Sequence, residues 1–132
     1  MAIDTSFEIK TVDASIVLAE LLPDEENTPK VEKYFSDFFN GKTDFIAPPI
    51  LKYEVANSFK SQFLRKRLTF EKAGALLRIF LSWPIVYKEV DFKDVFKLAV
   101  LENLSVYDAS YLYLAKEYDC ELITLDEKLV VK

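Results

Sequence analysis

The sequence has no histidine among its 132 residues. This absence excludes Ser-His-Asp and Cys-His hydrolysis, ribonuclease chemistry with histidine as acid and base, and zinc sites built on imidazole. The only glycines are Gly41 and Gly74, so the glycine-rich loops that hold nucleotide phosphates are excluded as well. Catalysis would have to use carboxylates, hydroxyls, lysine, arginine, one thiol or a bound metal.

Cysteine and long apolar runs are equally scarce. The single Cys120 excludes an intramolecular disulfide and favours a reducing cytosol; we expect it to be a small buried residue. The N-terminus carries Asp4 and Glu8 instead of the apolar core of a secretory signal. No apolar run approaches the ~20 residues that cross a bilayer. With 51% hydrophobic and 30% charged residues, residues 1–132 are predicted to form one cytoplasmic domain with no membrane association.

The charge balance is acidic. Seventeen basic and 22 acidic side chains give a net charge of −5. A protein that binds nucleic acid by phosphate contacts alone is normally basic. The composition therefore disfavours a passive nucleic-acid module, but it permits an acidic site that cations neutralise.

Short apolar segments alternate with segments of helical periodicity. Strands are predicted at 7–13, 45–47, 85–90 and 121–125, and a first helix is expected to stop at Pro23. This alternation predicts an α/β fold with a mostly parallel sheet and helices on both faces. The helices are expected to turn many large apolar residues inward, including Phe63, Phe70, Leu81, Phe92, Phe96 and Tyr118.

Four acids fall where such a fold has one edge. Asp13 ends the first predicted strand, Asp126 follows the last, and Glu54 and Asp108 lie near the starts of two helices. Strand carboxyl ends and helix starts meet at the same sheet edge, where ligands bind. Clustered carboxylates repel one another unless cations neutralise them. All-oxygen ligation suits Mg²⁺ or Mn²⁺, and such ions can activate water.

Each acid also has a structural explanation. Asp13 could cap the helix that follows it, and Glu54 could be a solvated helix residue. Asp108 is favoured by the helix dipole whatever its function, and Asp126 could be a turn or cap residue.

Four segments around these acids resemble the PIN domain family, and within it the VapC-type toxin ribonucleases. They are VDASIVLAELL, ILKYEVANSF, SVYDASYLYLA and ITLDEKL. The resemblance implies a three-layer α/β/α fold with a four- or five-stranded sheet. It also implies that Mg²⁺ or Mn²⁺ is bound by the four acids, and that metal-activated water cleaves RNA endonucleolytically. Ser15 and Thr124 match positions that support the acids by hydrogen bonding.

The resemblance further implies a homodimer and a small antitoxin whose tail occupies the acidic groove. Excess apolar helix surface also suits a homodimer. Many relatives continue into one more edge strand beyond the position of Lys132, and Leu129-Val130-Val131 is interpreted as a remnant of it.

Several alternatives stay open at this point. A basic cluster could be a solvated helix end or could contact RNA phosphates; it comprises Lys60, Arg65, Lys66 and Arg67. The domain could be an inactive PIN-like binding module that holds a structural ion or a partner's basic tail. A phospho-accepting role for Asp13 is disfavoured because Ala14 and Ser15, and no second acid, adjoin it.

Overall fold

A computed structural model describes residues 8–22 and 28–130. Within them four strands form one parallel sheet in the order β3-β2-β1-β4. The strands are β1 (Glu8–Val12), β2 (Thr43–Ala47), β3 (Val86–Tyr87) and β4 (Glu121–Ile123). The predicted α/β class and parallel sheet are confirmed.

Helices join the strands and cover the sheet in an α/β/α arrangement. They are α1 (Ala14–Leu21), α2 (Pro29–Phe39), α3 (Ile50–Leu64), α4 (Phe70–Ser82), α5 (Phe92–Glu102), α6 (Val106–Glu117) and α7 (Glu127–Val130). None of the helices in the described ranges is long and apolar enough to cross a membrane.

Side-chain caps fix where most of these helices begin. The hydroxyls of Thr28, Thr69 and Ser105 each accept a backbone N–H at the start of α2, α4 and α6. The carboxylates of Asp13 and Asp91 do the same for α1 and α5. Because β1 leads directly into α1, and β2 into α3 after two prolines, the helix starts collect at the carboxyl edge of the sheet.

The main core is aromatic at one end. Phe35 packs edge-on against Phe45, with ring centroids 5.4 Å apart, and Phe38 stacks on Phe45 at 4.2 Å. Trp83 closes this cluster against Phe35 at 5.3 Å. A smaller cluster of Val95, Ala99 and Ala109 joins α5 to α6.

The prediction that the large apolar residues face inward is wrong for six positions. These side chains are between 40% and 70% exposed: Phe63, Phe70, Leu81, Phe92, Phe96 and Tyr118. In α5 the buried strip is Val95 and Ala99. Phe92 and Phe96 lie four residues apart on a different stripe of the helix. This second stripe faces solvent, although the periodicity predicted that it faces the core.

The interpretation of the chain end as a strand remnant is also wrong for its described part. Leu129 and Val130 belong to α7, and Val131 lies outside the described residues. Asp126 starts this helical turn, because its carboxylate accepts the N–H of Lys128 at 3.0 Å and its carbonyl accepts the N–H of Leu129 at 2.9 Å.

Other boundaries differ less. The strand predicted at 85–90 is confined to Val86–Tyr87, and β4 ends at Ile123. Phe7 and Pro23 lie outside the described residues. Cys120 is half-buried, with its Sγ atom 3.3 Å from the hydroxyl oxygen of Thr11.

Candidate active site

Asp13 is the most buried of the four acids, with 5% of its surface exposed. One carboxylate oxygen accepts hydrogen bonds from the Ser15 hydroxyl at 2.6 Å and from the N–H of Ile16 at 3.3 Å. The other oxygen accepts from the Thr124 hydroxyl. Asp13 therefore caps α1. The nearby Ser15 and the distant Thr124 also hold its carboxylate by hydrogen bonds.

The two hydroxyls are themselves fixed by the backbone after β4. The N–H of Leu125 donates to Ser15 Oγ at 2.9 Å, and the N–H of Asp126 donates to Thr124 Oγ1 at 2.9 Å. Each hydroxyl thus accepts from one chain segment and donates to Asp13. This network joins the start of α1 to the loop that carries Asp126.

Glu54 lies in the second turn of α3 and is half-buried. Its Oε1 atom accepts a hydrogen bond from the hydroxyl of Tyr111, which is 1% exposed. Helical periodicity predicts for Tyr111 only a place on an apolar stripe, with Leu114, Ala115 and Tyr118. The available signal was chemical, because a buried tyrosine hydroxyl usually needs a polar partner.

Asp108 and Asp126 occupy more open positions. Asp108 is half-buried in the first turn of α6, and its backbone N–H donates to the Ser105 hydroxyl at 3.0 Å. Asp126 is half-buried at the start of α7. Both side chains lie on segments that begin at the carboxyl edge of the sheet.

The four acids affect one another electrostatically. Burial raises the pKa of Asp13, and the negative charge of Asp126 adds to that effect, while the hydrogen bonds from Ser15, Thr124 and Ile16 oppose it. Burial also raises the pKa of Glu54, with further contributions from Asp108 and Asp13, against the hydrogen bond from Tyr111. The carboxylates form a chain of mutual repulsion, from Asp126 through Asp13 and Glu54 to Asp108.

This arrangement is not a finished coordination shell. In the described parts of the chain, no three acidic or thiol side chains converge closely enough to hold one metal ion. The donor set nevertheless fits a hard divalent cation, since it is made only of oxygens whose charges repel. Hydrogen bonds fix Asp13 and Glu54, so closing a shell depends mainly on the more exposed Asp108 and Asp126.

The basic cluster lies elsewhere. Lys60, Arg65, Lys66 and Arg67 are all exposed. Arg65 follows Glu54 by eleven residues, which is ~16 Å along a helix at 1.5 Å per residue. Three of the four cations therefore lie at the end of α3 that points away from the acids.

Comparisons with known proteins agree with this architecture. The PIN domain family model matches residues 10–131. Ribonuclease VapC3 of Pyrobaculum aerophilum is 34% identical over 126 residues, which are 92% of each protein. Exonuclease VapC9 of the same organism is 31% identical over 80 residues, covering 61% of this chain and 60% of that protein.

A crystal structure of PAE2754 from Pyrobaculum aerophilum superposes with a TM-score of 0.74 at 24% identity. The match covers 96% of this chain and 85% of that one, and it supports the fold. Given the family match along nearly the whole chain and the identity to VapC3, this protein belongs to the PIN domain family.

Proposed function

We propose that this chain is a metal-dependent endoribonuclease that hydrolyses RNA phosphodiester bonds as the toxin of a toxin–antitoxin pair. The observation that carries the proposal is the chain of four mutually repelling carboxylates at the carboxyl edge of the sheet. The relative Ribonuclease VapC3 is named for the same reaction, which supports the proposal. With no histidine in the sequence, carboxylates and a cation are the chemistry that remains.

Asp13, Glu54, Asp108 and Asp126 would hold the cation, Mg²⁺ or Mn²⁺. When bound, such an ion lowers the pKa of coordinated water and offsets phosphate charge. The protein's own contribution is orientation. Ser15 and Thr124 would keep the Asp13 carboxylate aimed at the edge, and Tyr111 would do so for Glu54.

Substitution of single acids tests these roles. We expect Asp13→Asn and Asp108→Asn to abolish cleavage of a labelled single-stranded RNA in Mn²⁺, because each loses charge and keeps its shape. Asp44→Asn is the matched control, since Asp44 is exposed on β2. Circular dichroism checks that every variant is folded. Wild-type cleavage rates in both site variants would contradict the proposal, as would undiminished cleavage by the wild type in EDTA.

A second relative is named an exonuclease, so a separate assay must distinguish cleavage within an RNA strand from cleavage at its ends. We expect the protein to linearise a closed circular RNA, which offers no end to an exonuclease. Degradation of the linear form alone would assign an exonuclease instead.

The alternative is an inactive binding module that holds a structural ion or a partner's basic tail. It is favoured by the absence of three converging acids in the described residues. Mn²⁺ binding by calorimetry without strand scission would support this alternative over the nuclease.

The proposal includes partners. The acidic edge and the net charge of −5 suit a basic segment of a small antitoxin in the cytoplasm. Exposed apolar residues on α5 suit a homodimer. The basic cluster of Lys60, Arg65, Lys66 and Arg67 would contact the RNA backbone, with the last three remote from the cleavage point.

A further inference from the structure

An apolar pocket of about 280 Å³ lies at the same sheet edge as the four acids. Its walls come from the beginnings of α3, α5 and α6, together with the segments that precede α3 and α5. Three aromatic side chains line it: Tyr53, Phe92 and Tyr107.

These aromatic side chains are unusually open to solvent. Tyr53 is 73% exposed, Phe92 70% and Tyr107 61%. Single exposed apolar residues are ordinary, but a contiguous group around a hollow marks a binding surface. The hollow is slightly smaller than the ~300 Å³ at which pockets for drug-sized ligands begin.

The pocket and the acids share two helices. Tyr53 immediately precedes Glu54 on α3, and Tyr107 immediately precedes Asp108 on α6. A ligand held between the two tyrosines would therefore lie close to Glu54 and Asp108.

Charge at this edge argues against a grip on phosphates. Among the described residues that line the pocket, none is basic and Glu89 is acidic, and most of the basic cluster lies at the other end of α3. Stacking on aromatic faces is worth ~1–3 kcal/mol per base and does not depend on charge. Single-stranded RNA presents unpaired bases that can be splayed out and stacked in this way.

We propose that this pocket binds one unpaired nucleobase of an RNA strand whose backbone passes the neighbouring acids. That the strand is RNA rests on the proposed function. The pocket has room for one base, three of its wall residues are aromatic, and two of these immediately precede Glu54 and Asp108 in the sequence. It would set which nucleotide lies next to the cleaved bond.

Two polar groups in the pocket give the base preference. The Ser110 hydroxyl donates to the carbonyl of Tyr107 at 2.6 Å, so its oxygen is left to accept. Glu89 adds a carboxylate, which accepts only. Adenine, cytosine and guanine carry an exocyclic amino group with two N–H bonds that can donate to these acceptors, whereas uracil has a single donor, its ring N3–H. The pocket therefore favours an amino-bearing base over uracil.

The test measures binding apart from cleavage. Fluorescein-labelled oligo(A) and oligo(U) RNAs are titrated with the full-length protein in EDTA, at a physiological salt concentration that screens carboxylate repulsion. We expect tighter binding of oligo(A). Tyr53→Ala and Tyr107→Ala should each raise the Kd for oligo(A) ~10-fold, as expected for one lost stacking contact.

Three control variants separate the site from general effects. Tyr53→Phe keeps the ring and should bind as the wild type does. Phe70→Ala removes an equally exposed aromatic residue from α4, away from the pocket, and should also leave binding unchanged. Glu89→Gln should reduce the difference in Kd between oligo(A) and oligo(U), because the glutamine amide can donate a hydrogen bond as well as accept one.

The outcomes are distinct for the two proposals. Wild-type affinity in both tyrosine-to-alanine variants, or an equal loss in Phe70→Ala, overturns the base pocket. A change of oligomeric state in those variants with unchanged RNA affinity overturns it too and assigns the surface to contact between copies of the chain. Pocket-dependent binding without cleavage in Mn²⁺ upholds the pocket and contradicts the nuclease.

Discussion

At the scale of single residues, the buried contact between Tyr111 and Glu54 is the least expected feature of the site. A tyrosine with 1% exposure places its hydroxyl on a carboxylate oxygen of a half-buried acid. Burial and the nearby charges of Glu54, Asp13 and Asp108 raise the pKa of Tyr111, so its hydroxyl keeps its proton as a donor. Glu54 is therefore oriented by a group that itself remains neutral.

Tyr111→Phe keeps the ring and removes only this donor. The hydrogen bond from Tyr111 lowers the pKa of Glu54, so its loss should raise that pKa and loosen the carboxylate. We expect Mn²⁺ affinity to fall ~10-fold, the lower end of the range for lost supporting hydrogen bonds in metal sites. We also expect the acidic limb of the pH–rate profile to move to higher pH. Tyr118→Phe, at a 41% exposed tyrosine, is the control. An unmoved profile with unchanged affinity would show that Tyr111 only packs.

The burial of Asp13 should make the free energy of unfolding depend on pH. Its pKa in the folded protein is raised by burial, so the ionised carboxylate weakens the fold. This loss of folding free energy is complete above the pKa of the folded protein and disappears below the pKa of the unfolded chain, about 4. In EDTA, Asp13→Asn should thus unfold at a higher urea concentration than the wild type at neutral pH. The difference should close as the pH falls toward 4. A difference that is independent of pH would contradict the burial argument.

At the scale of helices and strands, short polar caps position the site. Asp91 accepts the N–H groups of Lys93 and Asp94 at 3.0 and 3.3 Å, and it starts α5 directly beside the apolar pocket. Asn103 ends the same helix in a left-handed conformation at φ 54°. These two residues set the length of α5 and the position of its first turn.

Asp91→Ala should lower the free energy of unfolding by ~1 kcal/mol, the usual cost of a lost N-cap. Urea denaturation measures it, with Lys97→Ala in the middle of α5 as the matched surface control. An effect no larger than that of Lys97→Ala would mean that the cap contributes nothing.

An N-cap can be predicted from sequence because its contacts are local. Thr28-Pro29, Thr69, Asp91 and Ser105 each lie within three residues of the N–H group that they accept. The inward faces were harder to predict, since periodicity defines stripes without saying which stripe meets a neighbour. In α5 the small Val95 and Ala99 face inward because α6 packs closely there.

Contacts between residues that are distant in the sequence could not be predicted from local patterns. Tyr111 reaches Glu54 across 57 positions, and no spacing rule predicts that pair. The placement of the four acids at one edge follows from topology, which alternation of strands and helices does predict. How closely their side chains converge depends on rotamers, which alternation does not specify.

At the scale of the whole molecule, α5 presents an apolar stripe to solvent. Phe96 and Val100 lie one helical turn apart and are 62% and 66% exposed. Leu101, beside them, is 81% exposed. A stripe of this kind on a small domain is typical of a surface that another protein covers, and we expect a second copy of the chain to cover it.

Phe96→Glu places a charge in the middle of this stripe. We expect the wild type to sediment as a dimer and the variant as a monomer, because the charge would lose its water in the interface. Phe70→Glu on α4 is the control and should stay dimeric. If Phe96→Glu sediments like the wild type, the stripe is not the dimer contact.

The hydroxyl network around Asp13 has a consequence for biosynthesis. Its two ends, Asp13 and Thr124, are 111 positions apart, and β4 pairs with β1 along the same seam. A nascent chain thus lacks the Thr124 hydrogen bond to Asp13 until residue 124 has left the ribosome. The four acids at the sheet edge are therefore complete only after the segment that carries Thr124 and Asp126 has paired β4 with β1.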